Sequence, residues 1–243
     1  MKNYHELKRK HIGETAFLIG AGPSLYEIYK SKYFHTIFEH IVISVNSSII
    51  LMPWSGVSHE TSKSYWISND SRCMRWSWWD KVKNSHCIKI VRDSWEPFEK
   101  ELSGFYKFSP RPTSEGVIRK EDEGLAYCSS IPTAIDLAIQ MGCKKILLIG
   151  VDHKKINGME HFWQYLSPKP TYTKNPQDSW KYRQSVFDTY NKLAFHALNN
   201  FAKENDANIY NITGRYGSNV KEFENIFYLN YFNSHEEQYK KHD

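Results

Sequence analysis

Along this chain, short runs of consecutive apolar residues alternate with segments whose apolar positions recur every three or four residues. Thr15-Ala16-Phe17-Leu18-Ile19 is a run of the first kind that ends abruptly in glycines, the pattern of a strand buried on both faces. Ile41-Val42-Ile43-Ser44-Val45, Tyr65-Trp66-Ile67-Ser68 and Cys87-Ile88-Lys89-Ile90-Val91 are rich in β-branched or aromatic residues, and each predicts a further strand. Lys145-Ile146-Leu147-Leu148-Ile149-Gly150-Val151 predicts the most deeply buried strand, and Asn208-Ile209-Tyr210-Asn211-Ile212 predicts the last of the series. Helical text starts at Leu25. From Ser130 to Met141, the residues Ile131, Ala134, Ile135, Ala138 and Ile139 recur at helical steps, and Gly142 is placed to stop the helix. A long helix is expected from roughly Asp178 to Glu204.

Between these elements lie two irregular stretches. Residues 95–124 carry Pro97, Pro110, Pro112, Gly104 and Gly116 without a sustained period, which predicts a loop with at most one short strand. Residues 154–177 contain Pro168, Pro170 and Pro176 and predict a second loop; both are expected to flank a site. Strands alternating with helices imply a mostly parallel sheet covered on both faces, a three-layer Rossmann-like α/β sandwich. A length of 243 residues is read as a single domain.

Composition narrows the function classes. The charge of +5, from 32 basic and 27 acidic residues, suits anionic substrates but gives no basic stripe of the kind that holds nucleic acid. Lys8-Arg9-Lys10 and Lys240-Lys241 are short, terminal and read as solvated. Cys73, Cys87, Cys128 and Cys143 lack zinc-type spacing, and nothing at the start resembles a signal peptide, so reduced thiols and a cytoplasmic setting are expected. No apolar run approaches the roughly 18 residues of a membrane span, although peripheral membrane association is compatible with this composition. The 15% aromatic share is high; packing accounts for most of it, and a groove for a sugar or base for the rest.

In an open parallel sheet, ligands bind beyond the carboxyl ends of the strands, where strand order reverses. That rule selects the glycine loop Gly20-Ala21-Gly22-Pro23-Ser24-Leu25, then Asn46-Ser47-Ser48, Asn69-Asp70, Ser129-Ser130 and Asp152-His153. Gly20 and Gly22 let the backbone approach an anion, Pro23 suits a first helical turn, and Ser24 caps the helix or donates to phosphate. The bland alternative for this loop is a tight strand-to-helix turn. Asn46 and Asn69 suit a base or ribose, but also an ordinary Asx-turn. Ser129 and Ser130 open a helix, where capping explains them as well as a diphosphate or carboxylate does. Asp152, His153 and, beyond the turn-like Asn157-Gly158, His161 bring one carboxylate and two imidazoles together, the best place for acid–base work. Lys181 and Arg183 are further phosphate partners, with a solvated helix face as their simpler account.

The glycine loop, Ser129-Ser130 at a helix start, and Gly150-Val151-Asp152 after Lys144-Lys145-Ile146-Leu147-Leu148-Ile149 resemble a superfamily over residues 16–212. It joins archaeal-type 6-hydroxymethylpterin diphosphokinase-like proteins with bacterial sialyltransferases of glycosyltransferase family 42. The resemblance to the sialyltransferase branch implies a cytidine monophosphate donor contacted by Gly22, Ser24, Asn46, Asn69, Ser129 and Ser130. That branch carries a catalytic histidine in the stretch matching Ser179 to Asp188, which has none here, so the base falls to His161 or His153. The stretch from Gly150 to Trp163, followed by Asn175-Pro176, is similar to small phage and environmental members of the diphosphokinase-like branch. The resulting expectation is a nucleotide-dependent transferase using a nucleotide-activated, CMP-type sugar and a small-molecule or glycan acceptor. The alternative is an ATP-dependent diphosphokinase acting on a pterin-like or other small hydroxymethyl substrate, with Mg²⁺ held by Asp152 or Asp70. A non-catalytic nucleotide-binding protein is the third reading.

Overall fold

The computed structural model describes residues 2–54, 63–98, 100–111, 113, 117–118, 123–126, 128–173 and 184–239. Eleven strands are seen among them: β1 (Lys2–Asn3), β2 (Thr15–Ile19), β3 (Ile41–Val45), β4 (Ser64–Ser68), β5 (Ile88–Arg92), β6 (Tyr106–Phe108), β7 (Pro110–Arg111), β8 (Leu125–Ala126), β9 (Lys145–Ile149), β10 (Asn208–Thr213) and β11 (Glu224–Phe227). The helices are α1 (Ser24–Tyr29), α2 (Trp79–Asn84), α3 (Ser130–Gln140), α4 (Gln184–Glu204) and α5 (Tyr228–Tyr239). Nine of the strands form one sheet in the order β1-β6-β5-β4-β3-β2-β9-β10-β11. Every pairing in it is parallel.

Period-two alternation in the central strands explains the three layers. Ala16 and Leu18 of β2, and Ile146 and Leu148 of β9, point into one core beneath α3 and α4, where Ala134, Ile135, Leu198 and Phe201 meet them. Phe17, Ile19, Leu147 and Ile149 point the other way, into a core closed by Leu25 and Ile28 of α1, Trp79 and Val82 of α2, and Tyr231 and Phe232 of α5. The fold is thus the expected Rossmann-like α/β sandwich.

Strand order reverses between β2 and β9. From β2 the chain builds outward through β3, β4, β5 and β6, whereas β9, β10 and β11 extend the opposite flank. A crevice at the carboxyl edge of such a reversal is where ligands lodge in open α/β sheets.

Three expectations are corrected. The irregular stretch 95–124 holds β6 and β7 and a 3-10 helix (Asp93–Phe98), and β8 follows at its end. β10 does not close the fold, because β11 and α5 follow it. The strand expected at Cys87–Val91 is shifted by one residue, to Ile88–Arg92. The start of the long helix expected from Asp178, with Lys181, Arg183, Asn175 and Pro176, lies outside the described residues, as do Pro112, Gly116, Lys240 and Lys241. Among the described residues no helix is long and apolar enough to cross a membrane.

Candidate functional site

The glycine loop leaves β2 and is pressed against the end of β9. Gly20 donates its amide to the Ile149 carbonyl (2.7 Å), and Gly22 donates to the Gly150 carbonyl (2.7 Å). A Cβ on Gly20 would stand 2.5 Å from the Gly150 oxygen, and one on Gly22 would stand 2.5 Å from Asp152 Oδ2. Both glycines are therefore required by the contact between two backbones. Gly150 itself has φ +70°, the left-handed region that glycine enters without steric strain.

Asp152 is 2% exposed, and its Oδ2 accepts the Ser24 amide at 2.8 Å. The carboxylate sits at the amino end of α1, where the sequence leads one to expect a phosphate. The Gly20, Gly22 and Ser24 amides all have protein acceptors, and α1 is only six residues long. The glycine loop is thus a clamped strand-to-helix turn, and Asp152 is its clamp. Burial raises the Asp152 pKa, and the Ser24 amide pulls it partly back. The Asp152 carbonyl is used as well, by the Asn219 amide (2.9 Å) and the Ser218 hydroxyl (3.1 Å) on the loop after β10.

The two candidate histidines part company. Ile156 and Met159 pair across a tight turn in which Asn157 (φ 51°) and Gly158 (φ +77°) are both left-handed, as the Asn-Gly pair requires. That turn sends the chain back over the glycine loop: Phe162 donates its amide to the Ala21 carbonyl (3.0 Å) and buries its ring beside α1. His161 arrives with it. Its ring stacks on Trp163 (5.4 Å, 19°). Desolvation lowers its pKa, which favours the neutral ring. His153, at φ 49°, instead lays its ring against Phe195 of α4 (5.3 Å).

A second group of expected residues gathers at the end of β4 and the start of α3. Asn69 donates its amide to Ser130 Oγ (3.0 Å) and its Nδ2 to Thr133 Oγ1 (2.8 Å), while its buried Oδ1 has no partner among the described residues. Ser129 does not cap α3; its hydroxyl donates to Asn191 Oδ1 of α4 (2.8 Å). Asn191 is fully buried, and its Nδ2 also has no partner among the described residues. The Ser130 and Ile131 amides open α3 without intrahelical acceptors, and Pro132 has no amide to offer. Asn46, the residue after β3, takes a left-handed turn (φ 53°), and its carbonyl accepts the Trp66 indole (2.9 Å). Its Oδ1 accepts the Cys73 thiol (3.8 Å), and Ser48 Oγ ties the Ile19 carbonyl to β3 (2.7 Å).

Asp70, the second carboxylate considered for Mg²⁺, is taken up by Arg72, whose Nε reaches Oδ1 at 2.8 Å and Oδ2 at 2.9 Å. Among the described residues no three His, Cys, Asp or Glu side chains come together to hold a metal ion. With Asp152 clamped and Asp70 paired, the two carboxylates do not fit the role of metal ligands. The four cysteines are unpaired, and burial pushes the Cys73 and Cys143 thiols up to about 12, leaving them protonated.

Three residues of this neighbourhood went unread in the sequence. Asn191 was hidden in a helix whose polar positions look solvated, and Thr133 in a helix read for its apolar steps. Asn211 looked like one polar break in a late strand, yet its Nδ2 holds the Val151 carbonyl (3.1 Å) and Asn225 (3.0 Å). No protein-family model matches the chain, and no curated protein is significantly similar to it.

Proposed function

We propose that the chain is a nucleotide-dependent transferase, a glycosyltransferase that takes its sugar from a CMP-type nucleotide. The observation that carries this reading is the pair of orphaned amide atoms beside the start of α3. Buried polar groups in folded proteins are nearly always satisfied. Among the described residues, Asn69 Oδ1 is an acceptor with nothing to accept, and Asn191 Nδ2 a donor with nothing to receive its hydrogen. A nucleotide offers complements to both: amino and hydroxyl groups for Asn69, and phosphate or carboxylate oxygens for Asn191 and the Ser130 and Ile131 amides. Cytidine is favoured by the resemblance of the glycine loop, the serine pair and Gly150-Val151-Asp152 to the sialyltransferase branch.

In this reading the α3 amides and its positive dipole end stabilise the leaving phosphate. His161 takes the proton of the acceptor hydroxyl as that oxygen bonds the anomeric carbon. The anomeric bond to phosphate oxygen breaks, and its electron pair leaves with the nucleotide. Asp152 acts indirectly, by fixing the glycine loop, whose Ala21 carbonyl accepts the Phe162 amide and so holds the segment that carries His161.

The test is a thermal-shift panel of CMP, CDP, UDP, GDP and ATP and of their sugars where these exist, each with and without Mg²⁺. Cytidine nucleotides should stabilise the protein without metal, by about 2.7 kcal/mol at a ligand concentration 100 times Kd. Stabilisation by ATP alone and only with Mg²⁺ would contradict the proposal in favour of diphosphoryl transfer.

A further inference from the structure

Asn157 is the one asparagine in the chain that glycine follows. Asn157 and Gly158 form the tip of the two-residue hairpin between Ile156 and Met159, and both are exposed. Two backbone bonds close that hairpin, Ile156 to Met159 and Met159 to Ile156 (3.0 Å each), and no further rung follows. The exposed Lys155–Glu160 ion pair (2.9 Å) adds little to it. Among the described residues the Gly158 amide has no acceptor, and apart from its chain neighbours no atom lies within 4 Å of where a Gly158 Cβ would stand. The asparagines followed by serine differ: Asn46, Asn84 and Asn233 all stand in helical turns.

We propose that Asn157 is a self-modifying site, where the chain converts its own side-chain amide to aspartate and isoaspartate without an enzyme, and that isoaspartate loosens the segment carrying His161. This stands apart from the nucleotide reading. The Gly158 amide nitrogen, having lost its proton to hydroxide, attacks Cγ of Asn157, and glycine has no side chain to obstruct the approach. The new C–N bond closes a succinimide as the bond from Cγ to Nδ2 breaks, and ammonia leaves with a proton from water. A water molecule then opens the ring. Opening at Cγ gives aspartate, whereas opening at the main-chain carbonyl gives isoaspartate, whose backbone runs through Cβ and Cγ. Attack requires Asn157 to leave its left-handed conformation (φ 51°), and local opening of a hairpin closed by two bonds permits that. Isoaspartate lengthens the tip by one backbone atom, so Ile156 and Met159 no longer face each other. The same hairpin returns the chain to the glycine loop, where Phe162 donates its amide to the Ala21 carbonyl (3.0 Å).

The test is ageing of the full chain in mildly alkaline buffer beside Asn157→Gly, whose Gly-Gly tip keeps the left-handed turn and lacks the side-chain amide. Peptide mapping of aged wild type should show, on the peptide spanning Asn157, the mass gain of an amide turned to an acid. An isoaspartyl methyltransferase should label that peptide, and the peptides spanning Asn46, Asn84 and Asn233 should stay unchanged. Hydrogen exchange at the Phe162 amide should run about 5- to 30-fold faster in aged than in fresh wild type. In Asn157→Gly it should be equal before and after ageing. If that variant does not fold, wild type kept in acidic buffer, where hydroxide is scarce, serves as the unmodified reference. An Asn157 peptide of unchanged mass, or equal gain at the asparagines followed by serine, overturns the self-modification. Modification that leaves exchange at Phe162 unaltered overturns the loosening.

Discussion

At the scale of single residues, Asp152 and its two glycines carry the most consequence. Folding takes this carboxyl from water into a 2% exposed position with its pKa raised, so the folded chain holds its proton more tightly than the unfolded one. Stability from this group is therefore greatest at low pH and falls as pH rises from the ordinary carboxylate range through the raised folded pKa. Asp152→Asn keeps an acceptor for the Ser24 amide and removes that slope. Thermal melts across pH should show it equal to or more stable than wild type at neutral pH, with Asp152→Ala less stable by about 1–3 kcal/mol. Gly22→Ala drives a methyl to 2.5 Å from that carboxylate, and chemical denaturation should register a loss of about 1–3 kcal/mol. For His161, the lowered pKa puts the acid limb of a kcat/KM profile below the ordinary imidazole value of 6.5. Sugar transfer assayed against pH should show that limb in wild type and lose about 10²- to 10⁴-fold in rate in His161→Ala. His153→Ala should leave the profile in place.

Among elements, those legible in the sequence are the ones buried on both sides. β2, β3 and β9 stand at the centre of the sheet, with α3 packed on one face, and their buried positions are almost all apolar, so the signal is nearly continuous. The missed strands are short or peripheral: β1 has two residues, β6 reads Tyr-Lys-Phe, and β11 reads Glu-Asn-Ile-Phe with no fully buried position. An edge strand has one neighbour and little burial, so it leaves almost no pattern. Helix α5 did leave one, Tyr228, Tyr231 and Phe232 at helical steps, beyond the strand taken for the last.

The stretch before α3 illustrates a different limit, since a long-range polar contact leaves no local trace. Arg111 and Asp136 form an ion pair at 2.6 Å, with side chains 2% and 0% exposed. Asp136 also accepts the Ala126 amide (2.6 Å) and Gln140 Nε2 (3.0 Å), and the Arg111 guanidinium lies over the Phe201 ring (5.1 Å). Nearby, the Tyr4 hydroxyl donates to the Gly124 carbonyl (2.9 Å) and accepts its amide (3.0 Å). These contacts pin β7 and β8 to α3. Asp136→Ala strands a buried guanidinium and should cost about 3–5 kcal/mol, whereas replacing both partners by apolar residues should cost far less. Equilibrium unfolding of the two single variants and the double variant measures the difference.

At the scale of the whole molecule, topology rather than any one motif positions the site. The reversal between β2 and β9 brings the glycine loop, Asp152 and His161 to one end of the crevice. Helix α3 returns across the sheet to set Ser129 and Ser130 beside Asn69. The list of loop residues was legible because the carboxyl-edge rule depends only on where strands end. Their division of labour was not, because it turns on which amides remain free. The short helix α1 has its amino end filled by the protein's own carboxylate, while beside the start of α3 Asn69 and Asn191 each hold a buried polar atom without a partner among the described residues.

The most direct measurement is a crystal of the full chain soaked with CMP. Density for the nucleotide should lie between Asn69 and Asn191, its phosphate on the Ser130 and Ile131 amides and an amino or hydroxyl group on Asn69 Oδ1. Nucleotide bound away from the start of α3, or no nucleotide at saturating concentration, would contradict the account.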